Sequence, residues 1–236
     1  FLRLSSFCIL IIINYLHRDF QREDMTFINV ILLLAAYILG SIPSAVWIGK
    51  YFFKIDVREY GSGNAGATNT FRVLGKKAGI PVLAIDVLKG FASVKLAFLQ
   101  NVIPHDVTSN PFMNLMLALG IAALLGHIFP VFAAFRGGKG IATLLGIVFA
   151  VMWEAALIAV LLFLLVLIIS KYVSLGSMLA GLAFPVLIIF VFEEQAPSLK
   201  VFSGVIAVLV LVTHQKNSTR LAQGVENKTY FFKKRT

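Results

Sequence analysis

One polar segment, GSGNAGATNTFR at residues 61–72, combines glycines, small polar side chains and an arginine, and it contains no carboxylate. Its three glycines allow a tight turn that points backbone N–H groups toward an anion. Arg72 adds a planar guanidinium that matches a phosphate group. The alternative is a flexible loop that binds nothing; a Walker A loop is excluded, because no Gly-Lys-Ser/Thr follows at the required spacing. We predict a phosphate site formed by Gly61, Ser62, Gly63, Asn64, Thr68, Asn69 and Arg72.

A second glycine-rich segment, FRGGKG at residues 135–140, comes directly before an apolar stretch that is predicted to be helical. Glycines at this place leave backbone N–H groups at the positive end of the helix dipole, which also suits a phosphate. The alternative is a basic turn between two membrane spans. His127, farther upstream, is predicted to be a packed or hydrogen-bonded helix residue rather than a base. The candidate phosphate-binding residues here are Gly137, Gly138, Lys139 and Gly140.

Two segments nearer the C-terminus carry hydroxyl, amide and imidazole groups. Ser174 and Ser177 share a face at the start of a predicted helix, where capping or packing is the alternative to ligand binding. His214 and Asn217 share a face just beyond the last apolar stretch, where an interfacial helix end is the alternative. His214 is the best general acid or base by residue type, because the ordinary pKa of histidine is close to neutrality.

Sequence patterns for several other chemistries are absent. There is no Cys/His cluster, no HExxH, no GxSxG and no His-x4-Asp, so neither a metal site nor a cofactor is predicted. The net charge of +10 would suggest nucleic acid in a soluble protein. No basic surface studded with aromatic residues accompanies that charge, so no nucleic-acid partner is predicted. The basic residues are assigned instead to loops beside anionic lipid.

Long apolar stretches must position these polar segments. The chain is 59% hydrophobic and only 14% charged, and a helix needs about 20 apolar residues to cross a bilayer. Asp86 and Lys89 are three residues apart inside one stretch, and we predict a structural ion pair, because intramembrane charges cost about 2.5–3.5 kcal/mol each. The pattern predicts an all-α polytopic membrane helical bundle. The stretches that qualify are 27–49, 79–100, 112–135, 140–170, 173–192 and 198–213.

The distribution of Lys and Arg sets the predicted topology. The basic loop 50–78 is placed in the cytoplasm by the positive-inside rule. Two short helices that turn near Trp153 and Glu154, rather than one long span over 140–170, also place Lys171 and the basic C-terminus there. We therefore predict about seven transmembrane helices in the bacterial plasma (inner) membrane, with active-site loops facing the cytoplasm. Residues 25–236 are predicted to form a single domain, and residues 1–24 a dispensable or non-native extension ahead of Met25.

Three of these segments resemble, in order, the signatures of the bacterial acyl-phosphate:glycerol-3-phosphate acyltransferases, a family of integral membrane enzymes. They are GSGNAGATNTFR (61–72), GHIFPVFAAFRGGKGIAT (126–143) and HQKNSTRLAQGVE (214–226). YVSLGS (172–177) and GSIPSA (40–45) match as well, and the likeness covers residues 25–228. Ser218 departs from the pattern, which has an apolar residue at that place.

The resemblance implies transfer of a fatty acyl group from acyl phosphate to the sn-1 hydroxyl of glycerol 3-phosphate, giving lysophosphatidic acid and phosphate without a cofactor. It also implies the lipid bilayer as a partner. Acyl phosphate has a good leaving group, so orientation and charge stabilisation suffice. The base is either the substrate's own phosphate or His214. The catalytic candidates are His214, Lys139, Arg72, Ser62 and Asn217, and Thr68 and Ser174 are implied to line the same pocket.

A transporter for organic phosphates is the alternative from a different functional class. Such a protein would also need a cationic pocket among membrane helices. Transporters place that pocket near the bilayer midplane and often contain internal repeats. Here the polar segments are predicted on one face of the membrane and no repeat is visible, so the enzyme is favoured.

Overall fold

The computed structural model describes residues 27–100 and 110–229, and these residues form helices and connecting turns without a β-strand. The all-α fold class is therefore confirmed, while the prediction about residues 1–24 lies outside the described residues. The α-helices are α1 (Phe27–Gly40), α2 (Ser44–Phe53), α3 (Ala67–Leu74), α4 (Lys76–Lys95), α5 (Asn110–Ile128), α6 (Ile141–Val151), α7 (Trp153–Ser170), α8 (Val173–Val186), α9 (Pro197–Thr213) and α10 (Gln215–Ala222). Short 3₁₀ turns occupy Val57–Glu59, Leu96–Leu99 and Val131–Ala133, and a π-helical turn, Leu187–Val191, extends α8.

The described residues divide into two compact units, a first unit that ends at Trp153 and a second unit that begins at Glu154. In the first unit, α1 packs on α5 and α4 packs on α6. Both pairs approach through glycine: a Cβ at Gly40 would collide with the Ala123 carbonyl, and one at Gly146 with the Val87 carbonyl. Small residues of this kind let helix backbones come close in a membrane. The single domain over 25–236 stays a prediction.

The second unit is built on α8 and α9, which pack against each other. Gly181 of α8 fits against the side chain of Val210 on α9. α9 ends at Thr213, and the chain bends by 58° at His214 before α10 continues. Residues after α10 return to the start of α8, where the Thr229 N–H donates to the Lys171 carbonyl over 2.8 Å.

Three described segments are long and apolar enough to cross a membrane, namely Pro111–Ala133, Trp153–Ser170 and Val173–Val191. The bent pairs α1 with α2 (41°) and α9 with α10 (58°) raise the number to five if each is one span. α4 has 20 residues but carries buried charges. The predicted division of stretch 140–170 is confirmed, since α6 ends at Val151 and α7 begins at Trp153. The total of seven remains a prediction.

Candidate functional site

The first glycine segment, residues 61–72, folds around the side chain of Asn69, which is only 2% exposed. Its Nδ2 donates to the carbonyls of Val57 (2.8 Å) and Tyr60 (3.1 Å), and its Oδ1 accepts from the Ser62 N–H (2.9 Å). Gly61 has a φ of 63°, a conformation that glycine adopts without strain. Asn69 therefore braces the turn, and its predicted contact with phosphate remains a prediction.

The polar side chains of the first glycine segment differ in their exposure. Ser62, Thr68 and Arg72 are exposed, whereas Asn64 is half-buried. Thr68 and Arg72 are four residues apart on α3, so their side chains lie on one face of that helix. A hydroxyl and a guanidinium on one exposed face can both donate to the oxygens of a single phosphate.

The second glycine segment, residues 135–140, folds back onto the end of α5. The N–H groups of Gly137 and Gly138 donate to the carbonyls of Ile128 and His127, each over 3.2 Å. A Cβ at Gly137 would collide with the His127 carbonyl, and one at Gly138 with the His127 ring. These glycines therefore shape the turn with their own N–H groups, so their phosphate contacts stay a prediction. Gly140 (φ 79°) leads into α6.

An arginine that sequence reasoning used only for topology links the 3₁₀ turns that come just before the two glycine segments. The Arg58 guanidinium donates to the Ala133 carbonyl over 2.9 Å and, more weakly, to the Arg136 carbonyl over 3.4 Å. It also pairs with Asp56 through two hydrogen bonds, of 2.7 Å and 3.0 Å, and this pairing holds the pKa of Asp56 well below its usual range. The signal in the sequence was an acid two residues before an arginine in an otherwise basic loop.

The predicted ion pair in α4 is confirmed, with Lys89 Nζ 2.9 Å from Asp86 Oδ1. The Ser44 hydroxyl donates to the same carboxylate oxygen over 2.8 Å, and Lys89 also donates to the Ile42 carbonyl over 2.8 Å. His127 is buried and lies 3.0 Å, Nδ1 to Oγ1, from Thr143, as predicted for a hydrogen-bonded helix residue.

In the second unit, a carboxylate that sequence reasoning left without a role gathers two predicted site residues. Ser174 Oγ and Asn217 Nδ2 both donate to Glu226 Oε1, over 3.0 Å and 2.8 Å. Glu226 is 9% exposed, and its Oε2 has no hydrogen-bond partner among the described residues. The signal was a single acid at the end of a polar, basic segment.

His214 ends α9 and is 4% exposed. Its Nδ1 lies 2.9 Å from the Val210 carbonyl, which can only accept, so Nδ1 carries a proton. When the ring is neutral, its lone pair is then on Nε2, the nitrogen that accepts a proton or a hydrogen bond. The assignment of His214 as acid or base remains a prediction.

The predicted site residues fall into two sets, one in each unit. The first unit contains Gly61, Ser62, Gly63, Asn64, Thr68, Asn69, Arg72, Gly137, Gly138, Lys139 and Gly140, in two segments that contact each other. The second unit contains Ser174, His214 and Asn217. Within the two described ranges, no three His, Cys, Asp or Glu side chains are placed to hold a metal ion.

Known proteins are similar to this chain in sequence and in fold. The family model of glycerol-3-phosphate acyltransferase matches residues 30–224. The chain belongs to the glycerol-3-phosphate acyltransferase family. The glycerol-3-phosphate acyltransferase of Chlorobaculum tepidum is 40% identical over an alignment of 234 residues, and the match covers 89% of this chain and 99% of that protein. The enzyme of Listeria welshimeri is 46% identical over 203 residues, covering 85% and 97%.

A solved member of the glycerol-3-phosphate acyltransferase family has the same fold. The crystal structure of PlsY (YgiH), an integral membrane glycerol 3-phosphate acyltransferase in its glycerol 3-phosphate form, matches with a TM-score of 0.76 at 36% identity. The match covers 86% of this chain and 96% of that one. The resemblance stated from the sequence is therefore confirmed, and the chain is an integral membrane protein with several apolar helices.

Proposed function

We propose that this acyltransferase moves a fatty acyl group from acyl phosphate to the sn-1 hydroxyl of glycerol 3-phosphate. The products are lysophosphatidic acid and inorganic phosphate, which makes this the first step of phospholipid synthesis. The observation that carries the proposal is the close approach of the two glycine segments, where a Cβ at Gly138 would lie 3.1 Å from the Ala65 carbonyl oxygen. Arg58 braces this approach through the Ala133 and Arg136 carbonyls. Both substrates bear phosphate, and both segments supply cations: Arg72 in the first, and Arg136 and Lys139 in the second.

The electrostatics of the first unit suit two anionic substrates. Two acids, Asp56 and Glu59, precede the first glycine segment and lie on either side of Arg58 in the sequence. Asp56 is neutralised by Arg58 (2.7 Å) and Lys50 (3.2 Å), so it does not oppose the positive field of the segments. A mainly positive surface attracts phosphate-bearing substrates and raises their local concentration. We therefore assign Arg72 and Lys139 to substrate phosphates, with Ser62 and Thr68 as neutral donors.

The proposed reaction needs no protein nucleophile. The glycerol hydroxyl oxygen forms a bond to the acyl carbonyl carbon, and the bond from that carbon to the phosphate oxygen breaks. Phosphate departs with the electron pair, and the hydroxyl proton goes either to substrate phosphate, whose second pKa is about 6, or to His214 Nε2. The hydrogen bond from Nδ1 to the Val210 carbonyl supports His214 in either part, as base or as orienting group.

We further propose that the active-site loops face the cytoplasm from the bacterial plasma membrane. The positive-inside rule supports this orientation, because the basic loop 50–78 and the basic residues after α9 then lie on one side. The lipophilic acyl chain of the donor also favours a site at the membrane face. Cysteine labelling tests the orientation: Glu154→Cys should react from outside and Lys171→Cys from inside.

Turnover by the purified protein in detergent tests the reaction. Acyl phosphate with glycerol 3-phosphate should give 1-acyl product and phosphate in equal amounts, whereas acyl-CoA in place of acyl phosphate should give none. Arg72→Ala and the exposed neighbour Lys77→Ala form a matched pair, of which only the first should lose activity. Lack of product from the folded wild-type protein, together with glycerol 3-phosphate uptake by liposomes that contain it, would instead establish the transporter alternative.

A further inference from the structure

A buried polar cluster in the first unit has no part in the proposed chemistry. It consists of Ser44, Asp86, Lys89, His127 and Thr143, which come from four helices. All five side chains are buried. Charged and polar groups inside a membrane bundle are costly, so their presence usually serves a site rather than the packing alone.

The cluster holds one edge of the His127 ring in place. Nδ1 lies 3.0 Å from Thr143 Oγ1, a hydrogen-bond distance, and 3.6 Å from Asp86 Oδ1, a distance at which only the charge acts. Asp86 is itself fixed by the Ser44 hydroxyl and by Lys89. Two anchors on different helices, α4 and α6, therefore set the rotation of the imidazole.

The opposite edge of the ring supports the second glycine segment. A Cβ at Gly138 would collide with His127 Nε2, so the glycine backbone lies directly on the ring. The Gly138 N–H donates to the carbonyl of the same histidine over 3.2 Å. A Cβ at Gly138 would also lie 3.1 Å from the Ala65 carbonyl oxygen, which belongs to the first glycine segment. The ring thus sets the spacing of a turn whose next residue is Lys139.

We infer that His127 is a positioning residue for Lys139: Thr143 and Asp86 orient its ring, and the ring fixes the turn from which Lys139 meets a substrate phosphate. The inference rests on the proposed function for the identity of that phosphate. A packing role alone would require only the volume of the ring. A positioning role requires its polar edge and acts through Lys139.

A double-mutant cycle separates these two roles. His127→Phe keeps an aromatic ring and removes both nitrogens, and Thr143→Val keeps the shape of the side chain and removes the hydroxyl that orients Nδ1. Each should raise the KM of the substrate whose KM Lys139→Ala raises, by about 5- to 30-fold for His127→Phe and by a smaller factor for Thr143→Val. In the Lys139→Ala background the same changes should add less than about twofold, because the group they position is gone.

The control is Ser93→Ala, which removes a buried hydroxyl on α4 that lies outside the cluster. Among the described residues, this hydroxyl donates to the Lys89 carbonyl alone. It should leave KM unchanged. Losses from His127→Phe or Thr143→Val that multiply with those of Lys139→Ala would overturn the inference and leave a packing role.

Inorganic phosphate binding, measured by calorimetry on the detergent-solubilised protein, repeats the cycle without turnover. If His127→Phe does not fold, Thr143→Val carries both tests. Failure of the wild-type protein to use acyl phosphate, with the coupling in phosphate binding intact, would refute the proposed reaction and keep the inference. Normal turnover of acyl phosphate, with no coupling between His127 or Thr143 and Lys139, would refute the inference and keep the proposed reaction.

Discussion

In the first unit an arginine links the turns that precede the two glycine segments, whereas in the second unit a carboxylate accepts hydrogen bonds from a serine and an asparagine. Arg58 donates to backbone carbonyls and pairs with Asp56. Arg72, by contrast, lies on the exposed face of α3. Glu226 accepts from Ser174 and Asn217, two donors that were predicted to meet substrate. The comparison separates charges that brace the fold around a site from charges that we propose bind a ligand, and residue type alone does not distinguish them.

The largest expected effect is the loss of a ligand-binding cation in the first unit. Arg72→Ala and Lys139→Ala should each lower kcat/KM at least roughly 10- to 150-fold, because a charge-assisted hydrogen bond to a desolvated anion is worth about 1.5–3 kcal/mol. Arg72→Lys should also be poor, since lysine lacks the bidentate fork. Steady-state kinetics and thermal melting check this. Activity within twofold of wild type in both alanine variants would remove these residues from the site.

The carboxylate of the second unit should matter less to activity and more to folding. Glu226→Gln keeps an acceptor for Ser174 and Asn217 but loses the charge that strengthens both bonds, so kcat/KM should fall about 10-fold and the melting temperature by a few degrees. Glu226→Ala should be worse, because it leaves two buried donors without an acceptor. If Glu226→Gln matches wild type in both kcat/KM and melting temperature, the charge of Glu226 contributes to neither activity nor stability.

Loss of His214 should have a moderate effect that falls mainly on substrate binding. If substrate phosphate takes the proton, His214→Gln retains turnover, with kcat within about tenfold of wild type and most of the damage in KM. A general base would instead cost about 10²–10⁴ in kcat, and the acidic limb of the pH–rate profile would disappear. Kinetics of His214→Gln and His214→Ala across pH decide between these outcomes, with folding checked by melting.

The smallest effect concerns the acid that Arg58 neutralises. The folded-state pKa of Asp56 lies below its unfolded value of about 3.9, so its contribution to stability is complete above that pH and is lost as the pH falls through the folded value. Asp56→Asn should therefore melt below wild type by a constant margin from about pH 6 to 8, and this margin should shrink below about pH 4. A margin that persists in acid would assign the loss to packing.

Local spacing was sufficient to predict several features of the structure. The separation of three residues between Asp86 and Lys89 predicted the ion pair. The placement of all basic segments on one side of the membrane predicted the helix break between Val151 and Trp153. Glycine and cation composition gave the two segments that the first unit brings together. Each of these inferences uses residues near one another in the chain or a property summed along it.

Contacts between distant residues were not predictable in the same way. Arg58 meets the Ala133 carbonyl across 75 residues, and Ser174 meets Glu226 across 52. Contacts of this kind leave no periodic or compositional trace in the sequence, because the path of the chain decides which residues meet. The Asn69 amide instead makes local bonds, to carbonyls 12 and 9 residues earlier, and its contact with phosphate stays a prediction.

The close glycine contacts of the first unit also restrict its motion. Backbone meets backbone where Gly40 faces Ala123, where Gly90 faces Thr143 and where Gly146 faces Val87, with no room for a methyl group. Sliding or rotating either helix of such a pair would carry a residue with a side chain into the gap, and packed interfaces resist that continuous deformation. Any rearrangement of this unit during a catalytic cycle therefore has to keep the register of these two helix pairs, α1 with α5 and α4 with α6.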